Sequence, residues 1–238
     1  MTRARWGALV GVAFLILAVS AFALTRVETR QSKPGQPPAL LLLTSLPLLF
    51  GEHFSLEETG SPALKALQSR YRVLPISVTS PADLSRGRLL FMAHPLAQPA
   101  EDLVALDDWV RRGGRVLLLA DPMLDWPSER PLGDPLRPPP MFMDTGLLKH
   151  WGLRLDAPDT HGLQARRLGD QDIMTASPGA LSGRCSVTDD RLVARCKIGR
   201  GRATIVADAD LLDAERLGED GKRNLDALLA ELAWLQHS

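Results

Sequence analysis

Asp208-Ala-Asp210 directly follows the apolar run Ala203 to Ala207, and Asp121-Pro122 directly follows another, Arg115 to Ala120. Asp208-Ala-Asp210 after an apolar strand imitates the aspartate pair of phosphate-transferring hydrolases, in which one carboxylate attacks and the other handles the proton. That chemistry needs a cap domain and further Lys and acidic motifs downstream, which residues 211 to 238 do not supply. The same three residues, Asp121, Asp208 and Asp210, would suit a hard cation such as Mg²⁺, which prefers carboxylate oxygens. Paired carboxylates at strand ends are more often helix caps and loop anchors, so no metal or cofactor is expected.

Two further polar residues reach comparable ends. Ser45 follows the apolar run Ala39 to Leu43, and His94 closes Arg88 to Ala93. A buried, hydrogen-bonded histidine is the plainer reading of His94. No Ser or Cys stands between glycines as a nucleophile elbow requires. His53, His94, His150, His161 and His237 are scattered without ligand spacing. Neither a G-x-x-x-x-G-K-[ST] loop nor a strand-borne G-x-G-x-x-G occurs, so nucleotide binding of either common type is not expected. The candidate ligand set is therefore Ser45, His94, Asp121, Asp208 and Asp210, with no catalytic residue assigned.

The elements that would position these side chains begin with Leu106 to Pro122. Leu103, Leu106 and Val110 recur at helical spacing, and Asp107 and Asp108 stand four residues before Arg111 and Arg112. Gly113-Gly114 supplies a left-handed helix stop, and the strand after it is apolar without alternation, as a strand covered on both faces must be. Around it the chain predicts a strand at Ala39 to Leu43, a helix opened by Ser61-Pro62, an edge strand at Arg72 to Ser77, a turn capped by Thr79-Ser80-Pro81, and a strand at Arg88 to His94. Residues 122 to 140 hold seven of the eighteen prolines, which reads as a rigid surface loop. A short helix stopped by Gly152, a small β excursion over residues 161 to 197, a strand at Ala203 to Ala207 and an amphipathic helix from Asn224 to Leu235 complete the domain. This succession predicts an α/β fold with a mostly parallel, doubly wound sheet whose ligand edge lies at the strand C-termini.

The N-terminus bears on the compartment. Arg3 and Arg5 precede Trp6 to Leu24, an uncharged run near bilayer-spanning length, followed by a polar linker over residues 25 to 38. The positive end should stay inside, leaving residues 39 to 238 as an extracytoplasmic domain. The length of the run favours an uncleaved anchor over residues 1 to 24. Ala21-Phe22-Ala23 leaves open a cleaved signal peptide and release to the periplasm. Cys185 and Cys196 fit either form of export. They lie on two short strands around an Asp189-Asp190 turn, and a disulfide is preferred over two buried thiols or half a zinc site.

Lys plus Arg equals Asp plus Glu at 28 each, so no general attraction to nucleic acid or anionic membrane is implied, and 45 % hydrophobic composition suffices for a core. The densest basic segment, Arg195 to Arg202, lacks interleaved aromatics and reads as solvated surface.

Leu103 to Pro122, Thr145 to Leu153, and Gly201 to Asp210 with Asn224 and Trp234-Leu235 downstream resemble, in that order, segments of the gliding-motility GldG-type auxiliary components of uncharacterised ABC-type transport systems. The resemblance spans roughly Leu40 to Leu235. It implies a glutamine-amidotransferase-like, flavodoxin-like fold held outside the cytoplasmic membrane and lacking amidotransferase chemistry. Its partners would be permease and ATPase subunits or another envelope protein. It assigns no residue a role, and this chain is shorter than the larger relatives. The expected function is a non-catalytic accessory module acting by protein or envelope-ligand binding. The alternative is a divergent hydrolase using acidic residues at the sheet edge.

Overall fold

Ala39–Thr44 (β1) carries four consecutive leucines, all buried, so the strand must be covered on both faces. A computed structural model describes residues 36–50 and 60–238. The apolar run Trp6 to Leu24 lies outside the described residues, and among those described no helix is long and apolar enough to cross a membrane.

From β1 the chain passes through helix α1 (Pro62–Gln68), capped by the Ser61 hydroxyl, to β2 (Arg72–Pro75). A second Ser-Pro cap opens the single turn α2 (Pro81–Leu84), which leads into β3 (Leu89–Ala93). Helix α3 (Ala100–Arg111) buries Leu106 and Val110 and ends at Gly113, whose φ of 114° only glycine adopts readily. β4 (Arg115–Leu119) follows. Residues 122 to 143 then form the proline-rich loop, without regular elements, before α4 (Leu147–His150) and β5 (Leu153–Asp156).

The next segment is all β: β6 (Leu163–Leu168), β7 (Gln171–Ala176), β8 (Ala180–Gly183), β9 (Ser186–Val187) and β10 (Val193–Ile198). β11 (Gly201–Val206) returns to the centre. A 3-10 turn (Asp210–Leu212), the short α5 (Ala214–Leu217) and the long α6 (Glu219–His237) close the chain. The final helix starts five residues before the expected Asn224, directly after Gly218.

The sheet differs from the expectation. The mostly parallel, doubly wound arrangement of the glutamine-amidotransferase-like or flavodoxin-like kind is corrected to a seven-stranded mixed sheet, in the order β2-β1-β3-β4-β11-β10-β9. The strands from β2 to β11 pair in parallel, whereas β10 runs antiparallel to both β11 and β9. The physical reason lies in the connections. Parallel pairing needs a long crossover, but β10 reaches β11 through a tight turn at Gly199 and Arg200, which permits only a hairpin. Part of the expected β excursion therefore widens the main sheet. The remainder forms the two-stranded β6-β7 sheet and, in β8, a partner for β5 in a second.

Cys185 and Cys196 form the expected disulfide. It closes the β9-β10 hairpin at the sheet margin, where β9 contributes only two residues to the pairing.

Candidate functional site

The register explains which side chains meet. Val206 pairs with Leu119, so Asp208 and Asp121, each two residues further on, leave adjacent strands side by side. Asp210 follows on the 3-10 turn, and all three carboxylates offer oxygens within 4.8 Å of one another. Each of the three residues is at most 1 % exposed.

Nearly every oxygen of this group already accepts a backbone amide. Asp121 takes Met123 N–H at 2.8 Å and Ala209 N–H at 2.7 Å. Asp208 takes Leu211 N–H at 2.8 Å and Ala176 N–H at 2.9 Å. Asp210 Oδ2 takes Asp125 N–H at 2.8 Å, while its Oδ1 is buried without a hydrogen-bond partner among the described residues.

Three carboxylates buried side by side cannot all remain ionised at little cost. Burial, and after it the charge of Asp121, pushes Asp210 up to about 7. Burial likewise pushes Asp121 up to about 6 against the pull of its amide donors. Burial and the charges of Asp121 and Asp210 raise Asp208 well above the ordinary carboxylate range. The group therefore retains protons near neutral pH. Its donor set could also hold a hard cation, since carboxylate oxygens can accept an amide and bind a metal together.

His94 and Ser45 make a second, separate contact. His94 ends β3 with a left-handed φ of 47°, uncommon for a non-glycine residue, and the Ser45 hydroxyl donates to its carbonyl. Burial lowers its pKa, so the neutral ring donates from Nε2 to Pro139 O at 2.9 Å. Nδ1 is buried without a partner among the described residues. Of the five candidate ligand residues, the three aspartates are brought together; Ser45 and His94 form a pair on the neighbouring strand ends.

Asp121, Asp210 and His94 converge on the proline-rich loop. Asp121 and Asp210 hold its outgoing limb through Met123 and Asp125. His94 and the Asp121 backbone hold its returning limb through Pro139 and Phe142, and Leu124 N–H bonds Pro140 O between the limbs. Arg216 on α5 adds an ion pair to Asp125 at 3.3 Å. Beyond these clamps the loop turns apolar side chains to solvent: Leu132 is 83 % exposed, Leu136 67 % and Met143 53 %.

Sequence reasoning missed two polar residues that hold this frame together. Asn224, fully buried on α6, receives Met174 N–H and donates to Met174 O and Leu211 O, tying the final helix to β7 and the 3-10 turn. Glu231 is buried and accepts two bonds from Arg195 and one from Thr204. Their signal was available: both sit on the leucine-rich stripe of an amphipathic helix, where a polar residue must find a partner inside.

No family model matches the chain, and no curated protein matches it. Solved structures do. The exo-β-1,4-mannosidase Op5Man5 from Opitutaceae bacterium strain TAV5 superposes with a TM-score of 0.52 at 13 % identity, over 84 % of this chain and 35 % of that one. The mmIFT52 N-terminal domain gives 0.51 at 13 % identity, over 82 % of this chain and 96 % of that one. A β-galactosidase from Bacillus circulans sp. alkalophilus gives 0.50 at 13 % identity, over 84 % and 31 %. The chain thus spans about a third of the two glycosidases and nearly all of the mmIFT52 domain. At this identity the likeness concerns the fold alone.

Proposed function

We propose that this chain is a non-catalytic, membrane-anchored extracytoplasmic accessory component of an ABC-type transport system, of the gliding-motility kind its sequence resembles. It binds the permease of a permease–ATPase complex, or another envelope protein, through the proline-rich loop. The observation that carries this reading is the use made of the ligand edge: Asp121, Asp210 and His94 are buried and bonded to backbone groups of the loop, which turns Leu132, Leu136 and Met143 to solvent. Loops fixed on a rigid scaffold are common binding elements, and exposed apolar residues rimmed by polar ones mark interaction surfaces. The disulfide agrees with an oxidising compartment.

The divergent hydrolase has one observation in its favour, the raised pKa values of Asp121, Asp208 and Asp210. It ranks second because these side chains are sealed from solvent and substrate.

Affinity purification of the full chain from detergent-solubilised membranes tests the first reading. Recovery of an ABC permease or ATPase subunit, abolished by Leu132→Asp with Leu136→Asp, is the expected result. Recovery of no such subunit, together with a hydrolytic turnover lost in a folded Asp208→Asn variant, would establish the second.

A further inference from the structure

The chain's zero net charge conceals a strong separation. The strand C-termini carry Asp121, Asp208 and Asp210, and the strand N-termini carry almost only cations. Register places these cations in one row. Arg72 starts β2 beside Ala39, Arg88 precedes Leu89, Arg115 starts β4 beside Arg202 on β11, and Lys197 on β10 pairs with Arg202. The Gly199-Arg200 turn packs against the end of α3, with Arg200 N–H bonded to Arg111 O.

Few acids answer them. Asp108 reaches Arg112 only at 3.8 Å, Asp83 pairs with Arg86, and Glu231 is occupied by Arg195. Arg115 is satisfied by carbonyl oxygens of Gly113, Leu235 and Ser238. Arg202 lies over the ring of the half-exposed Trp234, with Arg195 over the same ring at 4.9 Å. Arg72, Arg88, Lys197, Arg200 and Arg202 have no acidic partner among the described residues. The first four are exposed.

The entry point of the chain lies in this same row, because Pro38 O accepts Arg72 N–H at 2.9 Å. Preceding it are the linker, with Arg26, Arg30 and Lys33, and the uncharged run Trp6 to Leu24. A linker of this length reaches roughly 50 Å at most when fully extended. Any tether through that run attaches at the basic rim, opposite the proline-rich loop.

We propose that this basic rim is a docking face for an anionic phospholipid surface, on which the tethered domain rests with its strand N-termini toward the bilayer and its proline-rich loop directed away. The inference rests on the membrane-anchored reading of the chain. Each lysine or arginine near an anionic bilayer strengthens binding roughly fivefold, an effect that salt screens within about a Debye length. Trp234, flanked by two arginines, suits the headgroup region, where amphipathic rings collect.

The test uses the full chain in nanodiscs of phosphatidylcholine alone or mixed with phosphatidylglycerol. Arginine modification by phenylglyoxal is mapped by mass spectrometry. The proposal expects Arg72, Arg88 and Arg200 to be several-fold protected in the phosphatidylglycerol discs, with the protection removed by salt, while Arg154 and Arg191 label equally in both. Equal labelling of the rim in both discs overturns it, as does equal protection by soluble glycerol phosphate in phosphatidylcholine discs, which would make the rim a small-anion site. Retention of the chain in phosphatidylcholine discs after alkaline carbonate reports separately on the anchor. If the chain is released, flotation with phosphatidylglycerol vesicles but not phosphatidylcholine vesicles still supports the rim, and no flotation refutes it. Arg72→Gln/Arg88→Gln/Lys197→Gln/Arg200→Gln should weaken flotation by roughly two orders of magnitude or more.

Discussion

Replacing Asp210 by Asn removes one charge from the buried carboxylate group while keeping an oxygen for Asp125 N–H. The folded protein binds protons at Asp121 and Asp210 up to about pH 6 and 7, where an unfolded aspartate has already lost its proton. Between about pH 4 and 7 the folded state therefore holds more protons than the unfolded state, so stability from this group is full in acid and falls as pH rises. For Asp210 alone the difference of about three pH units amounts to roughly 4 kcal/mol at 1.36 kcal/mol per unit. Its neighbours share the burden, and an amide fits less well than a carboxylic acid, so about 2 kcal/mol is the expected change.

Asp210→Asn should thus be more stable than the parent by about 2 kcal/mol near pH 7.5 and nearly equal to it near pH 4.5, measured by urea unfolding with tryptophan fluorescence. His94 acts in the opposite sense. Its buried neutral ring loses stability as pH falls below the ordinary histidine value, but it is common to both proteins and cancels in the comparison. A variant less stable than the parent near neutrality, or a difference independent of pH, would show that the buried carboxylates do not hold protons in this way. A loss near neutrality that chelator reproduces in the parent would assign the group to a bound hard cation instead.

Asp208→Ala strands the amides of Ala176 and Leu211, and should cost about 2 to 4 kcal/mol in the same unfolding assay. Asn224→Ala removes three buried hydrogen bonds and should cost about 3 kcal/mol, with hydrogen exchange rising first in β7 and the 3-10 turn. Replacing both Cys185 and Cys196 by Ser should cost about 3 kcal/mol for a loop of this length, and mass spectrometry of the parent should find no free thiol. Leu132→Ser on the exposed loop should change stability by less than about 0.5 kcal/mol while weakening partner recovery.

Much of the local structure was legible because it rests on short-range physics. Ser61-Pro62 and Ser80-Pro81 cap helices by satisfying free amides, and Gly113 stops α3 by its positive φ. Asp121, Asp208 and Asp210 were legible as one candidate set because they follow two buried strands, β4 and β11, which lie side by side. The mixed sheet was not legible. Whether a β10-β11 hairpin joins the main sheet or stands apart depends on which edge is free, and no residue within the hairpin records that. The loop clamps were hidden for a similar reason: His94 meets Pro139, 45 residues away, and Asp125 meets Asp210, 85 residues away. The partners of Glu231 were hidden likewise, because Arg195 and Thr204 lie 36 and 27 residues away.

On the reading proposed above, the ligand edge serves to present the proline-rich loop to a partner. A photo-crosslinking residue placed at Leu132 in the full chain, irradiated in native membranes, tests it most directly. The expected outcome is a crosslink to an ABC permease subunit or a defined envelope protein that disappears with Leu136→Asp and survives Asp210→Asn. A crosslink unaffected by Leu136→Asp, or no crosslink from a loop that remains exposed, would contradict it.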